Sequence, residues 1–120
     1  MFSLFKKKRI EVIVNLKVSK AKSNNLCVIM LKGKSDYFYD DETKTHSATF
    51  DFWNDNSQLY NFLKNCRAKK QIIFNNEEVS HGTMRNLVYY STLDFEERET
   101  KARYFDSESE QFWRLTKILK

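Results

Sequence analysis

Apolar and other residues alternate near the start of the chain, over the segment RIEVIVNLKV, residues 9–18. Every second residue is apolar: Ile10, Val12, Val14, Leu16 and Val18. Successive side chains of a strand point to opposite faces of a sheet, so a period of two is typical of a strand with one buried face. The segment therefore predicts a first, half-buried strand.

A second apolar segment, NLCVIMLKGKSDYFY at residues 25–39, follows the polar and basic loop SKAKSNN and predicts a second strand. Gly33 interrupts it, and a lone glycine within a strand marks a bulge or bend of the kind that small barrels use. DDETK, residues 40–44, then predicts a hairpin turn. THSATFDFW, residues 45–53, predicts the third strand.

The hydrophobic period changes in NDNSQLYNFLKNCRAKK, residues 54–70, which predicts a helix. Its apolar residues have the spacing of one helix face: Leu59, Phe62, Leu63 and Cys66. Asn56 or Ser57 can cap the start, and the basic residues at the end suit the negative end of the helix dipole.

The rest of the chain predicts two more strands and a terminal helix. KQIIFN, residues 70–75, predicts a fourth strand, and NEEVSHG, residues 76–82, a loop. TMRNLVYYSTLDF, residues 83–95, predicts a longer fifth strand, and EERETKARYF, residues 96–105, has room for a further short one.

DSESEQFWRLTKILK, residues 106–120, predicts the terminal helix. Ser107 and Glu110 have the spacing of a capping box. The apolar stripe of this helix consists of Phe112, Leu115, Ile118 and Leu119.

Length and composition indicate one domain, 1–120. The 120 residues are enough to bury a core, and 41% hydrophobic with 31% charged residues is too apolar for a disordered chain and too charged for a membrane protein. No apolar run reaches the length of a bilayer crossing, and MFSLFKKKR lacks the apolar region of a signal peptide. These features predict a cytoplasmic protein.

The candidate catalytic and metal-binding residues are few. Cys27 and Cys66 lie in hydrophobic patterns without CxxC spacing, so they are predicted to be buried free thiols. His46 and His81 lie in no HxxxH or HxE pattern, and the acidic residues 40–42 are typical of a solvated turn. With no P-loop or nucleophile motif, the sequence predicts no enzyme, no cofactor and no metal.

Positive charge is concentrated near the start of the chain. Residues 1–22 contain seven basic residues and one acidic residue, whereas residues 23–120 contain 14 basic and 15 acidic ones. Clustered positive charge favours a polyanionic partner. Lys17, Lys20 and Lys22 are interleaved with Ser and Asn residues that also bind phosphate oxygens, and a solvated loop is the alternative.

The hairpin over residues 35–54 holds more large rings than one strand face can bury. Alternation divides them between the core and the surface. Phe38, or Phe50 and Phe52, would fill the core, and the rings predicted to face outward are Tyr37, Tyr39 and Trp53. A well-filled core is the alternative for this outward set.

Three strands, a helix and two strands, in this order, resemble the OB-fold. The resemblance covers about residues 9–96, and it implies a mainly β fold with some α: a five-stranded barrel with a helix between strands three and four. Residues 97–120 would form a C-terminal extension with an amphipathic helix. A β-grasp domain is the alternative fold, while a ferredoxin-like fold would need a helix directly after the first strand.

The chain also looks like the small single-stranded DNA-binding proteins of bacteriophages. This resemblance implies non-enzymatic, sequence-tolerant binding of single-stranded DNA in replication or recombination, with bases stacked on rings and phosphates held by Lys and Arg. It further implies a homo-dimer or homo-tetramer, replication or recombination proteins as partners, and the host cell cytoplasm as location. The terminal helix would be the subunit interface or would pack on its own barrel.

The predicted binding site lies on the second and third strands and nearby loops, with additions from the fifth strand. Its residues are Lys17, Lys20, Lys22, Lys32, Lys34, Tyr37, Tyr39, Trp53, Arg85 and Tyr89. RNA is an alternative ligand. A small phage protein-interaction module that inhibits or redirects a host enzyme, through the terminal helix and the aromatic hairpin, is the alternative function.

Overall fold

The computed structural model describes residues 8–18 and 25–119. Its main elements are, in chain order, β1 (Glu11–Lys17), α1 (Leu26–Lys32), β2 (Phe38–Asp40), β3 (Thr45–Asp51), α2 (Asn56–Asn65), β4 (Gln71–Phe74), β5 (Glu77–Val79), α3 (His81–Thr92), α4 (Phe95–Thr100) and α5 (Glu110–Thr116). Two 3₁₀ turns, Ala102–Phe105 and Lys117–Leu119, precede and follow α5. Within the described ranges, no helix has the length and apolar character required to span a bilayer.

The strands form one open antiparallel sheet of five strands in the order β2-β3-β1-β4-β5. The central strand β1 pairs with β3 along its whole length, from Glu11 opposite Asp51 to Lys17 opposite Thr45, and with β4 on its other side. A five-stranded sheet with a helix between the third and fourth strands is confirmed, but the predicted mainly β character is not, because the described residues contain more helix than strand. The predicted closure into a barrel is not, because β2 and β5 lie at opposite edges of the described sheet.

One face of the sheet carries the hydrophobic core. The buried apolar residues of its three inner strands share this face: Val12, Val14, Leu16, Ala48, Phe50, Ile72 and Phe74. Helices α1 and α2 pack against β3, and α3 packs against β4. The alternation predicted for β1 is confirmed, and the helices form a second layer over the apolar face.

The predicted second strand is wrong over most of its length, because residues 26–32 form helix α1. Asn25 caps this helix, and its side-chain oxygen accepts a hydrogen bond from the Cys27 N–H at 2.8 Å. The helix buries Cys27, Val28 and Leu31, which have the spacing of one helix face. Gly33, predicted to bend a strand, ends α1 instead.

The segment predicted as a loop after β4 contains the edge strand β5. A two-residue turn joins β4 to β5, and its residues Asn75 and Asn76 both have positive φ. That conformation is typical of tight hairpin turns, and asparagine adopts it more readily than most residues. Strands β4 and β5 therefore form a short β-hairpin.

The predicted fifth strand is wrong, since its residues form most of α3. Ser80 caps this helix by accepting a hydrogen bond from the Thr83 N–H at 3.1 Å. The buried residues of α3 lie three and four positions apart: Met84, Leu87 and Val88. Their spacing places them on one side of the helix, toward the sheet.

The C-terminal segment is helical and packs on its own domain. Asp94 and Glu97 form a capping box at the start of α4, so the further short strand predicted within residues 96–105 is wrong. The terminal helix is confirmed, but its cap is Ser109, not the predicted box of Ser107 and Glu110. Its buried apolar residues, continuing into the last turn, are Phe112, Leu115 and Leu119, whereas Ile118, predicted in the same stripe, is 39% exposed.

Cys27 and Cys66 form a disulfide bond, which corrects the prediction of free thiols. Cys27 belongs to α1, and Cys66 follows the last residue of α2. Both cysteines lie in the core, with exposed fractions of 7% and 0%. The bond therefore ties the first helix to the second across a separation of 39 residues.

Candidate nucleic-acid interface

The tyrosines of the aromatic hairpin surround a buried histidine. His46 of β3 is fully buried, and the Tyr37 hydroxyl lies 2.7 Å from its Nδ1. The centroid of the Tyr39 ring is 4.5 Å from that of the His46 ring. Tyr37 and Tyr39, predicted to stack on bases, are thus half-buried around His46, whereas Phe38 is 63% exposed.

Lys34 and Trp53 stabilise the segment between β3 and α2. The Lys34 Nζ donates to Asp55 Oδ2 at 2.9 Å and lies 4.9 Å from the centroid of the Phe50 ring. Burial by itself raises the pKa of Asp55, but a backbone N–H and the Lys34 ammonium outweigh it and lower the pKa. Trp53 is half-buried and packs against the core. Both predicted binding residues therefore have structural contacts.

A row of hydrogen-bonded polar side chains crosses the other face of the sheet. The Ser47 hydroxyl donates to Asn15 Oδ1 at 2.6 Å, and Asn15 Nδ2 donates to Gln71 Oε1 at 2.9 Å. Gln71 Nε2 then donates to Glu78 Oε1 at 3.2 Å. This row links β3, β1, β4 and β5 and holds its amide groups in fixed orientations.

Part of the row lines a surface cavity of about 600 Å³. The other lining residues are Lys17, Thr45, Lys69 and Lys70. The Lys70 Nζ donates to the backbone carbonyls of Cys66 and Ala68 at 2.6 and 2.9 Å, which fixes the loop between α2 and β4. Lysines from β1 and from this loop therefore face one cavity, which also contains the Glu78 carboxylate.

Positive charges also converge on His81, the first residue of α3. Burial lowers the pKa of His81, and the charges of Lys70, Arg85 and Arg67 lower it further. Charges act in this way only from nearby, so these cations lie around the start of α3. We define the cationic track as Lys17, Arg67, Lys69, Lys70 and Arg85. None of them forms an ion pair with a carboxylate of the described residues.

Arg85 also lines a cleft on the surface of the helical layer. The volume of this cleft is about 240 Å³. We define the tyrosine cleft as its lining residues, Tyr60, Arg85, Asn86, Tyr89 and Tyr104. Tyr60 is 39% exposed and Tyr104 is 58% exposed. Arg85 therefore joins the tyrosine cleft to the cationic track.

The structure brings together only part of the predicted site. Lys17, Arg85 and Tyr89 belong to the cationic track or the tyrosine cleft. Arg85 and Tyr89 meet there because they are four residues apart on a helix, not because they alternate on a strand. The predicted residues at other places are Lys32 at the end of α1, Lys34, Tyr37, Tyr39 and Trp53. Lys20 and Lys22 lie outside the described residues.

The residues that sequence reasoning missed are Tyr60, Arg67, Lys69, Lys70 and Tyr104. The run RAKK at residues 67–70 is a usable signal, although its charges also suit the negative end of a helix dipole. Tyr60 lies beside the apolar stripe of α2, where the local pattern indicates no function. Tyr104 lies in a segment predicted to hold a short strand, and that prediction gives no reason to place it beside Tyr89.

We expect the free energy of unfolding to decrease as the pH falls below 6.5, the ordinary histidine pKa. Burial, with a contribution from the Lys32 charge, lowers the pKa of His46 in the folded protein. Between the folded-state and ordinary values the unfolded chain binds more protons, so stability is complete above pH 6.5 and is lost toward the folded-state pKa. Urea unfolding from about pH 7.5 to about pH 5.5 measures this decrease.

The pKa of His81 is lowered as well, so both histidines contribute in this pH range. His46→Gln should remove part of the pH dependence, and His46→Gln/His81→Gln should remove most of it. Hydrogen bonds from Arg114 and Gln111 lower the pKa of Glu77 to about 2, and its contribution is lost only below its ordinary pKa of 4.5. A double histidine variant with the wild-type dependence would contradict the prediction.

The cations of the cationic track and the phenol and amide groups of the tyrosine cleft suit contacts with phosphates and planar rings. Among residues 8–18 and 25–119, no group of three or more His, Cys, Asp or Glu side chains is arranged to hold a metal ion.

The chain matches no protein-family model, no curated protein and no solved structure.

Proposed function

We propose that this chain is a non-enzymatic, sequence-tolerant single-stranded DNA-binding protein of replication or recombination. The observation that carries the proposal is the cationic track, whose side chains form no ion pair among the described residues. Lys17, Lys69 and Lys70 line one cavity, and the charges of Arg67, Lys70 and Arg85 act on His81 at the start of α3. Cations without carboxylate partners are available to neutralise phosphates. In this proposal the sugar-phosphate backbone lies along the cationic track.

The exposed rings beside the track favour a single strand over a duplex. Tyr60 and Tyr104 present partly exposed rings next to Arg85. The bases of a duplex are stacked on one another inside the helix, whereas those of a single strand are free to stack on side chains. Such binding needs only these charges and rings on one surface, and it does not require a closed barrel.

Binding of a fluorescein-labelled oligo-dT, followed by anisotropy at several salt concentrations, tests the proposed function. Each phosphate contact with a single strand contributes about −0.7 to the slope of log K against log salt, so the cationic track predicts a slope of roughly −2 to −3.5. Arg67→Ala/Lys69→Ala should make the slope shallower by about 1.4 and weaken binding about tenfold at low salt. Both side chains are exposed, so the fold should persist.

Lys32→Ala/Lys117→Ala is the matched control, because it removes the same charge from exposed residues outside the cationic track. This variant should retain nearly the wild-type affinity. An equal loss in both variants, a slope near zero or tighter binding of duplex DNA would contradict the proposal. Tighter binding of oligo-U would instead identify RNA as the ligand.

A small protein-interaction module that inhibits or redirects a host enzyme is the second candidate function. It is favoured by Leu26 and Ile29, which are 51% and 47% exposed and lie three residues apart on α1. The terminal helix supports it less, because Phe112 and Leu115 are buried within the domain and only Trp113 of its apolar residues is partly exposed, at 38%. Binding to a defined host enzyme, with no affinity for oligo-dT or oligo-U, would favour this function.

A further inference from the structure

The tyrosine cleft adjoins a second cavity, and two tyrosines line both. The second cavity measures about 340 Å³ and is lined by Asn56, Ser57, Tyr60, Tyr89 and Thr92. Tyr60 and Tyr89 therefore lie between the two cavities. Pockets for drug-sized ligands measure about 300–1,000 Å³. The second cavity lies at the lower end of this range and the tyrosine cleft lies just below it, so both have the size of a small planar group.

The Tyr89 ring of the cleft packs against two neighbouring aromatic rings. The Tyr89 centroid lies 5.4 Å from that of Tyr104, with the ring planes at 71°, and 5.8 Å from that of Phe105. Phe105 is fully buried and belongs to the core. Tyr89 is thus held between a core ring and an exposed ring, so that little ordering is needed when a planar ligand binds.

The tyrosine cleft also contains two polar side chains, Asn86 and Arg85. Asn86 Nδ2 donates to the Glu108 carboxylate, which fixes the amide. Arg85 forms no ion pair among the described residues, and its charge acts on His81. A guanidinium stacks on planar rings and also binds phosphate, so Arg85 can contact a base and the backbone beside it.

Resting on the proposed function, we infer that the tyrosine cleft is a base-binding subsite for an unpaired nucleobase. The base stacks on Tyr104 and Tyr60, and Arg85 connects it to the phosphates on the cationic track. A protein partner is the competing occupant, because Tyr and Arg are also enriched at protein interfaces. Charge complementarity favours the nucleic acid, since Arg85 lines the cleft and forms no ion pair among the described residues.

The test compares oligo-dT with an abasic oligomer of the same length, which keeps the phosphates but lacks the bases. One stacked base strengthens binding by about 5- to 150-fold, so the wild type should bind oligo-dT at least about fivefold more tightly. Tyr104→Ala and Tyr60→Ala should reduce this preference and leave affinity for the abasic oligomer unchanged. Tyr104→Phe, which retains the ring, should preserve it.

Phe38→Ala is the control, because Phe38 is 63% exposed on the edge strand β2, close to the 58% of Tyr104. It should leave the preference for oligo-dT intact. Equal wild-type binding of both oligomers, with a clear salt dependence, would overturn the base-binding subsite but not the proposed function. Loss of the preference in Phe38→Ala alone would also overturn it. If neither oligomer binds, both proposals are wrong.

Discussion

Replacing Phe105 by alanine should lower the free energy of unfolding by about 3–5 kcal/mol, as is usual for a buried phenylalanine. Phe105 is fully buried, and its ring lies parallel to that of Phe112, with the centroids 5.4 Å apart. The Tyr90 ring meets it edge-on at 5.4 Å, and the Tyr89 ring lies at 5.8 Å. Removing the ring leaves a cavity between α3 and α5. Urea unfolding measures the decrease in the free energy of unfolding.

Phe95→Ala is the control for this prediction. Phe95 is 75% exposed, and substitution of such a residue usually changes stability by less than about 0.5 kcal/mol. Because Phe105 supports Tyr89, the Phe105→Ala variant should also lose part of its preference for oligo-dT over the abasic oligomer. A Phe105→Ala protein with wild-type stability would show that the C-terminal segment does not pack on α3.

The segments with strong hydrophobic periodicity could be predicted from the sequence. In β1, Val12, Val14 and Leu16 alternate, and in α2, Leu59, Phe62 and Leu63 have helical spacing. Such patterns arise because one face of each element is buried and the other is not. The third and fourth strands and the terminal helix were recognised for the same reason.

The segments assigned to the wrong type lacked an unambiguous period. Residues 26–31 are all apolar, and a short apolar run is compatible with a buried strand or a buried helix. In α3, the β-branched and aromatic residues Val88, Tyr89 and Tyr90 favoured a strand. The N-cap residues Asn25 and Ser80 favour the helix in both segments, since their side chains accept hydrogen bonds from the first turns of α1 and α3.

Little of the candidate site could be predicted, because it depends on which elements become neighbours. Lys17 and Lys69 are 52 positions apart and line one cavity only because β1 pairs with β4. The sequence correctly drew attention to Arg85 and Tyr89, but for the wrong secondary structure. Tyr104 reaches them through the packing of Phe105, which no local pattern reveals.

The cysteine pair shows the same limit, since local spacing gives no information on residues that meet in space. Disulfides persist mainly in oxidising compartments, whereas the sequence indicated the cytoplasm. The cytoplasmic location stays a prediction. The bond itself has a measurable consequence for stability.

Removal of the Cys27–Cys66 bond should lower the free energy of unfolding by about 4 kcal/mol at 25 °C. The bond closes a loop with a sequence separation of 39. In the chain-entropy model, removing the bond raises the conformational entropy of the unfolded chain, and this stabilises the unfolded state by that free energy. Cys27→Ala/Cys66→Ala should show the decrease in urea unfolding. This variant measures the effect of the bond alone, because alanine, unlike a free cysteine, neither ionises nor oxidises.

Reduction of the wild type provides the internal control. Added dithiothreitol should shift the wild-type unfolding midpoint toward that of the double alanine variant and leave the variant itself unchanged. Alkylation of the denatured, unreduced protein should find no free thiol at Cys27 or Cys66. A wild type that is alkylated at both cysteines, and whose midpoint does not respond to reductant, would show that the two thiols are free and that α1 is held to α2 by packing alone.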